Sequence, residues 1–409
     1  MDELLKKCKK ASVLLDKLDD NGKNNLIIKM AEAVLNNKKA ILDQNKIDLN
    51  NARKNGLKES MIERLTLTEK RIKDLYDSAF ELIKLKSPVG EIIEEYKTQN
   101  GLNIKKIRVP FGVICAIFES RPNVSFDISI LTLKAGSACV LKGGKEAINT
   151  NKAIVDTMKD AIKDIIDPNV ITLIESTSRE DTNYLITKKE YIDLLIPRGS
   201  KNLINYICEN AKVPFIETGA GNCHLYVHEK ADIEMAIKIA INAKYQRPSV
   251  CNAIENIVID RNIKDKFLPR LYEEFSKLNI EMRGDDEVLK IINVNKATEE
   301  DYYKEYNDYI VAIKVVSNID EAISFINTHS TKHSEAIITS DINAKNQFFK
   351  EIDSACVYHN ASTRFTDGGC FGFGAEIGIS TTKLHARGPM GIKEITTYKY
   401  IISGNGEIR

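Results

Sequence analysis

The sequence predicts an α/β protein with two doubly wound α/β domains and a small β element. Apolar, strand-like segments alternate with helical segments from residue 110 to residue 198. A second alternation of the same kind begins near residue 226. Such alternation is typical of a parallel sheet covered by helices on both faces. A hairpin pattern near residue 100 and an alternating tail after residue 396 account for the β element.

The composition bounds the class of protein. A chain of 409 residues with 43% hydrophobic residues is long enough for two or three domains. The net charge of +1, from 59 basic and 58 acidic residues, gives no electrostatic reason to expect nucleic acid or an anionic membrane as partner. No apolar run approaches the roughly 20 residues that span a bilayer, and residues 1–10 are too charged for a secretory signal.

The eight cysteines are scattered and form no CxxC pair. This pattern predicts reduced thiols and a cytoplasmic protein. Cys223, His224 and His228 lie close in sequence, but their spacing matches no metal-ligand pattern, so no metal site is expected.

Residues 1–90 show helical hydrophobic spacing, and Thr66 and Thr68 are candidate caps before a further helix. Asn100-Gly101 between two alternating runs predicts a hairpin whose two turn residues both take positive φ. The tail at 397–402 alternates in the same way. We predict that the hairpin and the tail pair with each other and extend across a subunit interface.

The first α/β region supplies strands near 113–118, 138–141, 170–174 and 192–196, with helices near 124–134, 146–163 and 181–186. Loops at the carboxyl ends of such strands form the ligand site of this architecture. These loops carry glycines with polar and basic residues, which suits an anionic dinucleotide. No GxGxxG follows the first strand, so the usual pyrophosphate-binding turn is missing.

The second region has strands near 257–259, 311–315 and 336–339, and helices near 264–278, 319–327 and 344–351. It is preceded by a glycine-rich segment, 219–221, that suits a close approach of backbone to a ligand. Cys251, in QRPSVCNA (246–253), is expected at the start of a short helix, where backbone N–H groups stabilise a thiolate and an oxyanion. The alternative for an arbitrary cysteine is a small buried hydrophobe.

Several longer motifs resemble one known family. They are VPFGVI (109–114), FESRPNV (118–124), VLKGGKEA (140–147), IPRG (196–199), NAKYQRP (242–248), VCNA (250–253), NASTRFTDGG (360–369), GAEIGIST (374–381) and KLHARGPMG (383–391). Together they resemble the gamma-glutamyl phosphate reductases (glutamate-5-semialdehyde dehydrogenases) of the aldehyde dehydrogenase superfamily. The likeness runs in order along nearly the whole chain. It also explains the missing fingerprint, because that superfamily binds its cofactor without GxGxxG.

The resemblance implies a domain organisation. Residues 1–95 and 110–225 would form the cofactor-binding domain with its helical cover, and residues 226–388 the catalytic domain. Residues 96–109 and 389–409 would form the β oligomerisation element of a homo-oligomer.

The resemblance further implies NADPH-dependent reduction of L-glutamyl 5-phosphate to L-glutamate 5-semialdehyde, with release of phosphate, in proline biosynthesis. Cys251 would be the nucleophile that carries the acyl group as a thioester. The side-chain amide of Asn123 and the backbone N–H of Cys251 would stabilise the oxyanion. The expected cofactor-binding residues are Ser120, Lys142, Lys145 and Glu305. The expected substrate-binding residues, chosen as bidentate donors for carboxylate and phosphate, are Arg121, Arg198, Arg364 and Arg387.

A comparison with hydrolytic members of the superfamily supports reduction. Those enzymes carry a glutamate before the glycine-rich segment to activate water, and the comparable residue here is Thr218, although Glu217 lies one position earlier. Two alternatives stay open: a CoA-acylating aldehyde dehydrogenase, and a non-catalytic partner of glutamate 5-kinase. The sequence leaves open NADPH against NADH, dimer against tetramer, and whether glutamate 5-kinase is a physical partner.

Overall fold

The structure of the protein is a computed structural model that describes residues 1–408, apart from the side chains of Ser60 and Lys201. The chain divides into two compact units. The first unit contains Met1–Thr218, Gly372–Gly378 and Met390–Arg409, and the second contains Gly219–Phe371 and Ile379–Pro389.

The first unit begins with helices, as predicted. They are α1 (Asp2–Leu15), α2 (Asp20–Asn36), α3 (Lys38–Lys54), α4 (Glu59–Leu65) and α5 (Glu69–Lys84). Thr68 caps α5 by accepting a hydrogen bond from the Arg71 N–H at 3.1 Å, which confirms one of the two candidate caps. Asp48 of α3 is buried and accepts from the backbone N–H and the hydroxyl of Thr150 at 2.8 and 2.6 Å. These charge-assisted bonds tie the helical cover to the α/β layer.

A four-stranded parallel sheet forms the centre of the first unit. The elements are β1 (Ile92–Lys97), β2 (Asn103–Pro110), β3 (Val113–Phe118), α6 (Asn123–Lys134), β4 (Ala138–Lys142), α7 (Ile148–Ile162), β5 (Ile171–Leu173), α8 (Arg179–Thr187), β6 (Leu194–Arg198) and α9 (Lys201–Asn210), with 3₁₀ turns at Lys145–Ala147 and Pro168–Val170. The strand order is β5-β4-β3-β6. Every residue of β3 and β4 is buried, as expected of parallel strands covered on both faces. The carboxyl ends of these strands therefore bring the predicted ligand loops to one edge.

The second unit holds a seven-stranded parallel sheet. Its elements are β7 (Cys223–Val227), α10 (Ile233–Tyr245), β8 (Ile254–Asp260), α11 (Lys264–Lys277), β9 (Glu281–Gly284), α12 (Asp286–Leu289), β10 (Asn295–Lys296), α13 (Glu299–Tyr302), β11 (Ile310–Val316), α14 (Ile319–His329), β12 (Ser334–Ile338), α15 (Ile342–Glu351), β13 (Cys356–His359), a 3₁₀ turn at Thr363–Phe365, β14 (Ile379–Ser380) and β15 (Gly388–Pro389). The strand order is β10-β9-β11-β8-β7-β12-β13. The sequence predicted only three of these strands. The expected domain boundary after residue 225 falls inside β7.

The expected helix at Cys251 is wrong. Cys251 lies in a turn between α10 and β8, and the Ala253 N–H donates to the Val250 carbonyl at 3.0 Å to close that turn. Strand β8 begins at once, at Ile254. The buried apolar run of β8 determines the local structure in place of the short polar segment before it, so Cys251 does not open a helix.

The C-terminal strand β16 (Thr396–Ser403) belongs to the first unit and pairs antiparallel with β2, from Thr396 opposite Pro110 to Ser403 opposite Asn103. This confirms the predicted pairing of hairpin and tail. The turn geometry differs from the prediction, because Gly101 takes φ +93° while Asn100 does not adopt positive φ. A longer loop closed by the Thr98 N–H and the Leu102 carbonyl (2.9 Å) makes the second positive φ unnecessary. The role of this sheet at a subunit interface stays a prediction.

Candidate active site

Cys251 is partly exposed, and its backbone is in contact with the glycine-rich segment of the second unit. A Cβ atom added at Gly221 would lie 1.4 Å from the Cys251 carbonyl oxygen and 2.7 Å from its Cα. Only glycine allows two backbone segments to approach so closely. The segment was expected to approach a ligand; in the structure it approaches the backbone of the cysteine.

Cys223 lies behind this contact. Its thiol donates to the Cys251 carbonyl at 3.2 Å, and its sulfur lies 3.7 Å from Nδ1 of the buried His333. Burial raises the pKa of Cys223 well above its usual value, so the thiol keeps its proton and remains a donor. Sequence reasoning had grouped Cys223 only with a rejected metal cluster. The structure instead places its thiol in a hydrogen bond to the Cys251 backbone.

Arg364 lies beside the cysteine. Its guanidinium contacts the side-chain oxygen of Asn252 and donates from Nε to Gln246 at 3.1 Å. Burial lowers the pKa of Arg364, and the negative charge of a Cys251 thiolate opposes that shift. This is the electrostatic signature of a cation close to the sulfur. Arg364 therefore brings a positive charge to the surroundings of Cys251, which the expected helix does not provide.

Asn252 links Arg364 to the loop that follows β13. Its side-chain amide donates to the Thr366 carbonyl at 2.8 Å, and its backbone carbonyl accepts from the Thr363 hydroxyl at 2.7 Å. The motif NASTRFTDGG was identified from sequence, but its contact with the residue after the cysteine was not. Only the fold shows it, because more than 100 residues separate the two.

Glu305, which was predicted to bind the cofactor, lies in the second unit. Its Oε1 accepts from the Gly221 N–H at 2.9 Å, so this carboxylate holds the glycine segment that contacts Cys251. Close by, the side chains of Lys244 and Glu255 form a fully buried ion pair at 2.6 Å. Burial lowers the pKa of Lys244 and raises that of Glu255, and the charge of each partner opposes both shifts. The pair was not predicted.

In the first unit, Asn123 opens helix α6 and its amide donates to Oδ2 of Asp127, one turn further on, at 2.9 Å. One amide N–H is thereby committed and the second is left for another acceptor. Protein atoms crowd the Asp127 carboxyl although part of the residue contacts solvent, and this desolvation raises its pKa to about 6. The positive charge of Arg198 acts in the opposite direction.

The cofactor residues predicted in the first unit lie at the carboxyl edge of its sheet. Lys142 is buried at the end of β4 and donates from Nζ to the Ser176 carbonyl at 2.9 Å, which leaves two of its three N–H donors. Burial lowers its pKa. Ser120 is buried with φ +40°, a strained backbone for a residue other than glycine. Arg121 is partly exposed in the same loop and Lys145 is exposed in the 3₁₀ turn.

Arg387 and Thr218, both singled out from the sequence, make hydrogen bonds within the second and first unit respectively. Arg387 donates to the side chain and the carbonyl of Asp353 at 2.9 and 3.1 Å, and Lys332 and Lys383 bind the same carboxylate. This geometry favours a structural ion pair for Arg387; its assignment to substrate stays a prediction. Thr218 is buried and donates to the Pro197 carbonyl at 2.6 Å, so its hydroxyl is satisfied by the fold.

The described residues also bear on other classes of site. Among residues 1–408, no group of three or more His, Cys, Asp and Glu side chains is placed to hold a metal ion. No helix within that range is long and apolar enough to cross a bilayer.

The site has a partly exposed thiol on a backbone fixed by a glycine contact, with a guanidinium nearby. The ligand loops of the parallel sheet lack GxGxxG. These features are those of an oxidoreductase of the aldehyde dehydrogenase class. The profile of the aldehyde dehydrogenase family matches residues 1–309. The chain is 52% identical to a gamma-glutamyl phosphate reductase of Clostridium botulinum (strain Eklund 17B / Type B) and 48% identical to one of Nautilia profundicola, with 100% of both chains covered in each case. The crystal structure of a gamma-glutamyl phosphate reductase from Thermotoga maritima matches with a TM-score of 0.97 at 46% identity, covering 100% of this chain and 99% of that one. The chain therefore belongs to the gamma-glutamyl phosphate reductases of the aldehyde dehydrogenase family.

Enzymes of this family use a nicotinamide cofactor, and the sheet edge of the first unit fits such a group. A Cβ at Gly143 would lie 2.3 Å from the amide nitrogen of Asn151, so the loop after β4 packs directly on that side chain. The Asn151 amide is fully buried, and neither its nitrogen nor its oxygen has a partner among residues 1–408. Orphaned donors beside a buried lysine are expected where a polar ligand completes the hydrogen bonding.

Proposed function

We propose that the protein reduces L-glutamyl 5-phosphate to L-glutamate 5-semialdehyde with NADPH and releases phosphate, as a step of proline biosynthesis. The observation that carries this proposal is the arrangement at Cys251: a thiol beside Arg364, on a backbone fixed by Gly221. The name shared by relatives at about half identity over the full chain supports the choice of substrate.

The first step is acyl transfer to sulfur. The Cys251 thiolate attacks the carbonyl carbon of the acyl phosphate, the C–S bond forms, and the C–O bond to phosphate breaks. The electron pair of the broken bond leaves with phosphate, and a thioester remains on Cys251. Arg364 stabilises the thiolate before attack and is placed to receive the departing anion.

The oxyanion formed at each tetrahedral stage needs hydrogen-bond donors. The proposal assigns this role to the backbone N–H of Cys251 and to the amide N–H of Asn123 that is not committed to Asp127. Because Asp127 fixes the amide, the remaining N–H is oriented before substrate arrives, and preorganised donors of this kind carry much of the rate enhancement of acyl-transfer enzymes.

NADPH, when bound, would supply a hydride to the thioester carbon, and the C–S bond would break to release the aldehyde and return Cys251 to the thiolate. Lys142, Lys145 and Ser120 would hold its adenosine end, with the exposed ammonium of Lys145 suited to a 2′-phosphate. Glu305 would hold the nicotinamide ribose through the carboxylate oxygen that does not accept from Gly221. Arg121, Arg198 and Arg387 complete the proposed substrate contacts, the last only if Asp353 releases it.

The thioester must also survive in water. Thr218 has no carboxylate and its hydroxyl is bound to Pro197. The negative charge of Glu217 acts on Cys208 of the first unit and adds to the rise in that thiol's pKa, which is caused mainly by burial. Neither Thr218 nor Glu217 gives evidence of a base that would activate water against the thioester, which agrees with reduction of the thioester in place of its hydrolysis.

The proposal includes a cytoplasmic homo-oligomer of two or four chains, joined through the β1–β2–β16 sheet. Glutamate 5-kinase is proposed as a partner, because an acyl phosphate is labile and transfer between bound enzymes would protect it from water.

The test is the reverse reaction. Purified protein is given L-glutamate 5-semialdehyde, phosphate and NADP, and reduced nicotinamide is measured by absorbance. Wild type should require phosphate, and Cys251→Ala should lose activity by a factor on the order of 10³ or more. Cys370→Ala, which removes an exposed thiol, is the matched control and should keep wild-type activity.

Three results would overturn the proposal. Turnover that needs CoA in place of phosphate would identify a CoA-acylating enzyme. No turnover by a folded protein that binds glutamate 5-kinase would identify a non-catalytic partner. Full activity of Cys251→Ala would remove the nucleophile from the mechanism. NADH in place of NADPH, with and without Lys145→Gln, tests the cofactor preference.

A further inference from the structure

Asp127 is a titratable residue of the first unit to which the proposed mechanism gives no substrate contact. It lies on α6 one turn after Asn123 and accepts the amide N–H of that residue at 2.9 Å. Part of Asp127 contacts solvent, although protein atoms crowd its carboxyl group. The positive charge of Arg198 acts on it, and the hydrogen bond to Asn123 is its one described polar contact. A carboxylate with two oxygens, only one of them in that bond, has capacity for a further donor.

The substrate of the proposed reaction carries three charged groups. The acyl phosphate and the α-carboxylate are anions, and the predicted arginines are suited to both. The α-ammonium is a cation and requires an anionic acceptor. No residue assigned so far provides one.

The distances along α6 agree with the length of the substrate. Residues four apart on a helix have Cβ atoms about 6 Å apart. In the substrate, three C–C bonds of about 1.5 Å each join the reacting carbonyl carbon to the α-carbon, an extended span of about 4 Å before the C–N bond is added. A substrate whose carbonyl oxygen is bound by Asn123 is therefore long enough for its ammonium group to meet Asp127.

Arg198 completes the arrangement. A Cβ at Gly378 would lie 2.5 Å from Nη1 of Arg198, so the guanidinium packs against the face of that glycine and is held in place. The charge of Arg198 acts on Asp127, and a guanidinium and a carboxylate near each other present opposite charges to an amino-acid head group, whose own charges are also opposite. A paired site of this kind loses less on desolvation than either charge alone.

We propose that Asp127 binds the α-ammonium of the substrate, with Arg198 on the α-carboxylate, and that this pair selects an amino-acid substrate over its deaminated analogue. The inference rests on the proposed function, because it uses the binding of the carbonyl oxygen by Asn123. It adds a specificity-determining residue that acts on the end of the substrate remote from the reaction.

The experiment compares two aldehydes in the phosphate-dependent reverse assay. One is L-glutamate 5-semialdehyde, and the other is 5-oxopentanoate, which has the same carboxylate and aldehyde but no amino group. Values of kcat/KM are measured for wild type, for Asp127→Asn and for Asp156→Asn, which removes an exposed carboxylate of α7 in the same unit. Asparagine at 127 keeps an oxygen to accept from Asn123 and removes only the charge.

Wild type should prefer the amino aldehyde by about 100-fold or more, because a site built for a charged group rejects a ligand that leaves it unpaired. Asp127→Asn should lose about 30-fold with the amino aldehyde and less than threefold with 5-oxopentanoate. Asp156→Asn should behave as wild type with both.

Equal loss with both aldehydes would overturn the proposal and make Asp127 a residue that only positions Asn123. Equal use of both aldehydes by wild type would also overturn the proposal. This comparison needs no variant, so it tests the proposal even if Asp127→Asn fails to fold. If wild type turns over neither aldehyde with phosphate and NADP, the proposed function itself fails, which is distinct from both outcomes above.

Discussion

Replacement of Gly221 by alanine tests whether the contact between the glycine segment and Cys251 matters for chemistry. The added Cβ would lie 1.4 Å from the Cys251 carbonyl oxygen and 2.3 Å from the carbonyl carbon. Real Cβ atoms essentially never approach within 3.0 Å. The atoms in conflict are backbone atoms on both sides, so no side-chain rotation relieves the clash. One of the two segments must move by more than an ångström and a half.

The expected magnitude follows from this displacement. A misplacement of about 1 Å at a reacting group can cost on the order of 10² in rate, so kcat of Gly221→Ala should fall at least about 100-fold. Overpacking of this kind typically costs about 1–3 kcal/mol of unfolding free energy. That is a fraction of the roughly 5–15 kcal/mol of a normal domain, and the variant should therefore still fold.

The assay is the phosphate-dependent reverse reaction, with urea unfolding to confirm the folded state. Alkylation of Cys251 by iodoacetamide, followed by peptide mass spectrometry, reports the thiol directly and should also slow. Gly369→Ala is the matched control in the same unit, because its Cβ would meet only the Asp367 carboxylate, at 3.1 Å, without positive φ. Wild-type kcat in folded Gly221→Ala would refute the claim that this contact positions the nucleophile.

Three further predictions concern other parts of the structure. Asn123→Ala should lower kcat by about 10²–10³ with little change in KM, measured in the same assay; an effect confined to KM would contradict an oxyanion role. Lys244→Met should lower the unfolding free energy by about 3–5 kcal/mol by leaving the buried Glu255 without its ion-pair partner, and the double variant with Glu255→Leu should recover most of it in urea titrations. If the double variant recovers none of the lost unfolding free energy, the loss in Lys244→Met does not come from the unpaired Glu255. Ile402→Asp with Tyr398→Asp, at side chains 59% and 51% exposed, should reduce the mass in sedimentation equilibrium to that of one chain, and an unchanged mass would exclude this sheet from the interface.

The strands that sequence predicted well are the ones with continuous apolar runs. β3 (Val113–Phe118) was predicted with both ends correct, because a strand buried on both faces has no polar position to blur the pattern. β9 (Glu281–Gly284) and β7 (Cys223–Val227) were missed. The first alternates charge with apolar residues over only four positions, and the second follows a glycine segment and starts with Cys-His. Their place in the sheet is set by their neighbours.

The residues of the candidate site could be found by motif, but their partners could not. Arg364 and Cys251 were both chosen from sequence, and the structure adds that the guanidinium of Arg364 contacts Asn252, the residue after Cys251. The contact of Gly221 with the Cys251 carbonyl and the hydrogen bond between Glu305 and Gly221 join residues 30 to 84 positions apart. No local pattern encodes such pairs. The helix expected at Cys251 was wrong for the related reason that local composition cannot anticipate where a neighbouring strand begins.

The pairing of β16 with β2 has a consequence for synthesis of the chain. Residues 103–110 leave the ribosome nearly 300 residues before the strand that covers them, and the first unit also takes in Gly372–Gly378. Throughout translation of the intervening segment, β2 has an open side available to any passing strand. The unit that is synthesised first is thus completed last. A nascent chain released before residue 396 would carry an unpaired edge of β2, which could pair with a strand of another chain.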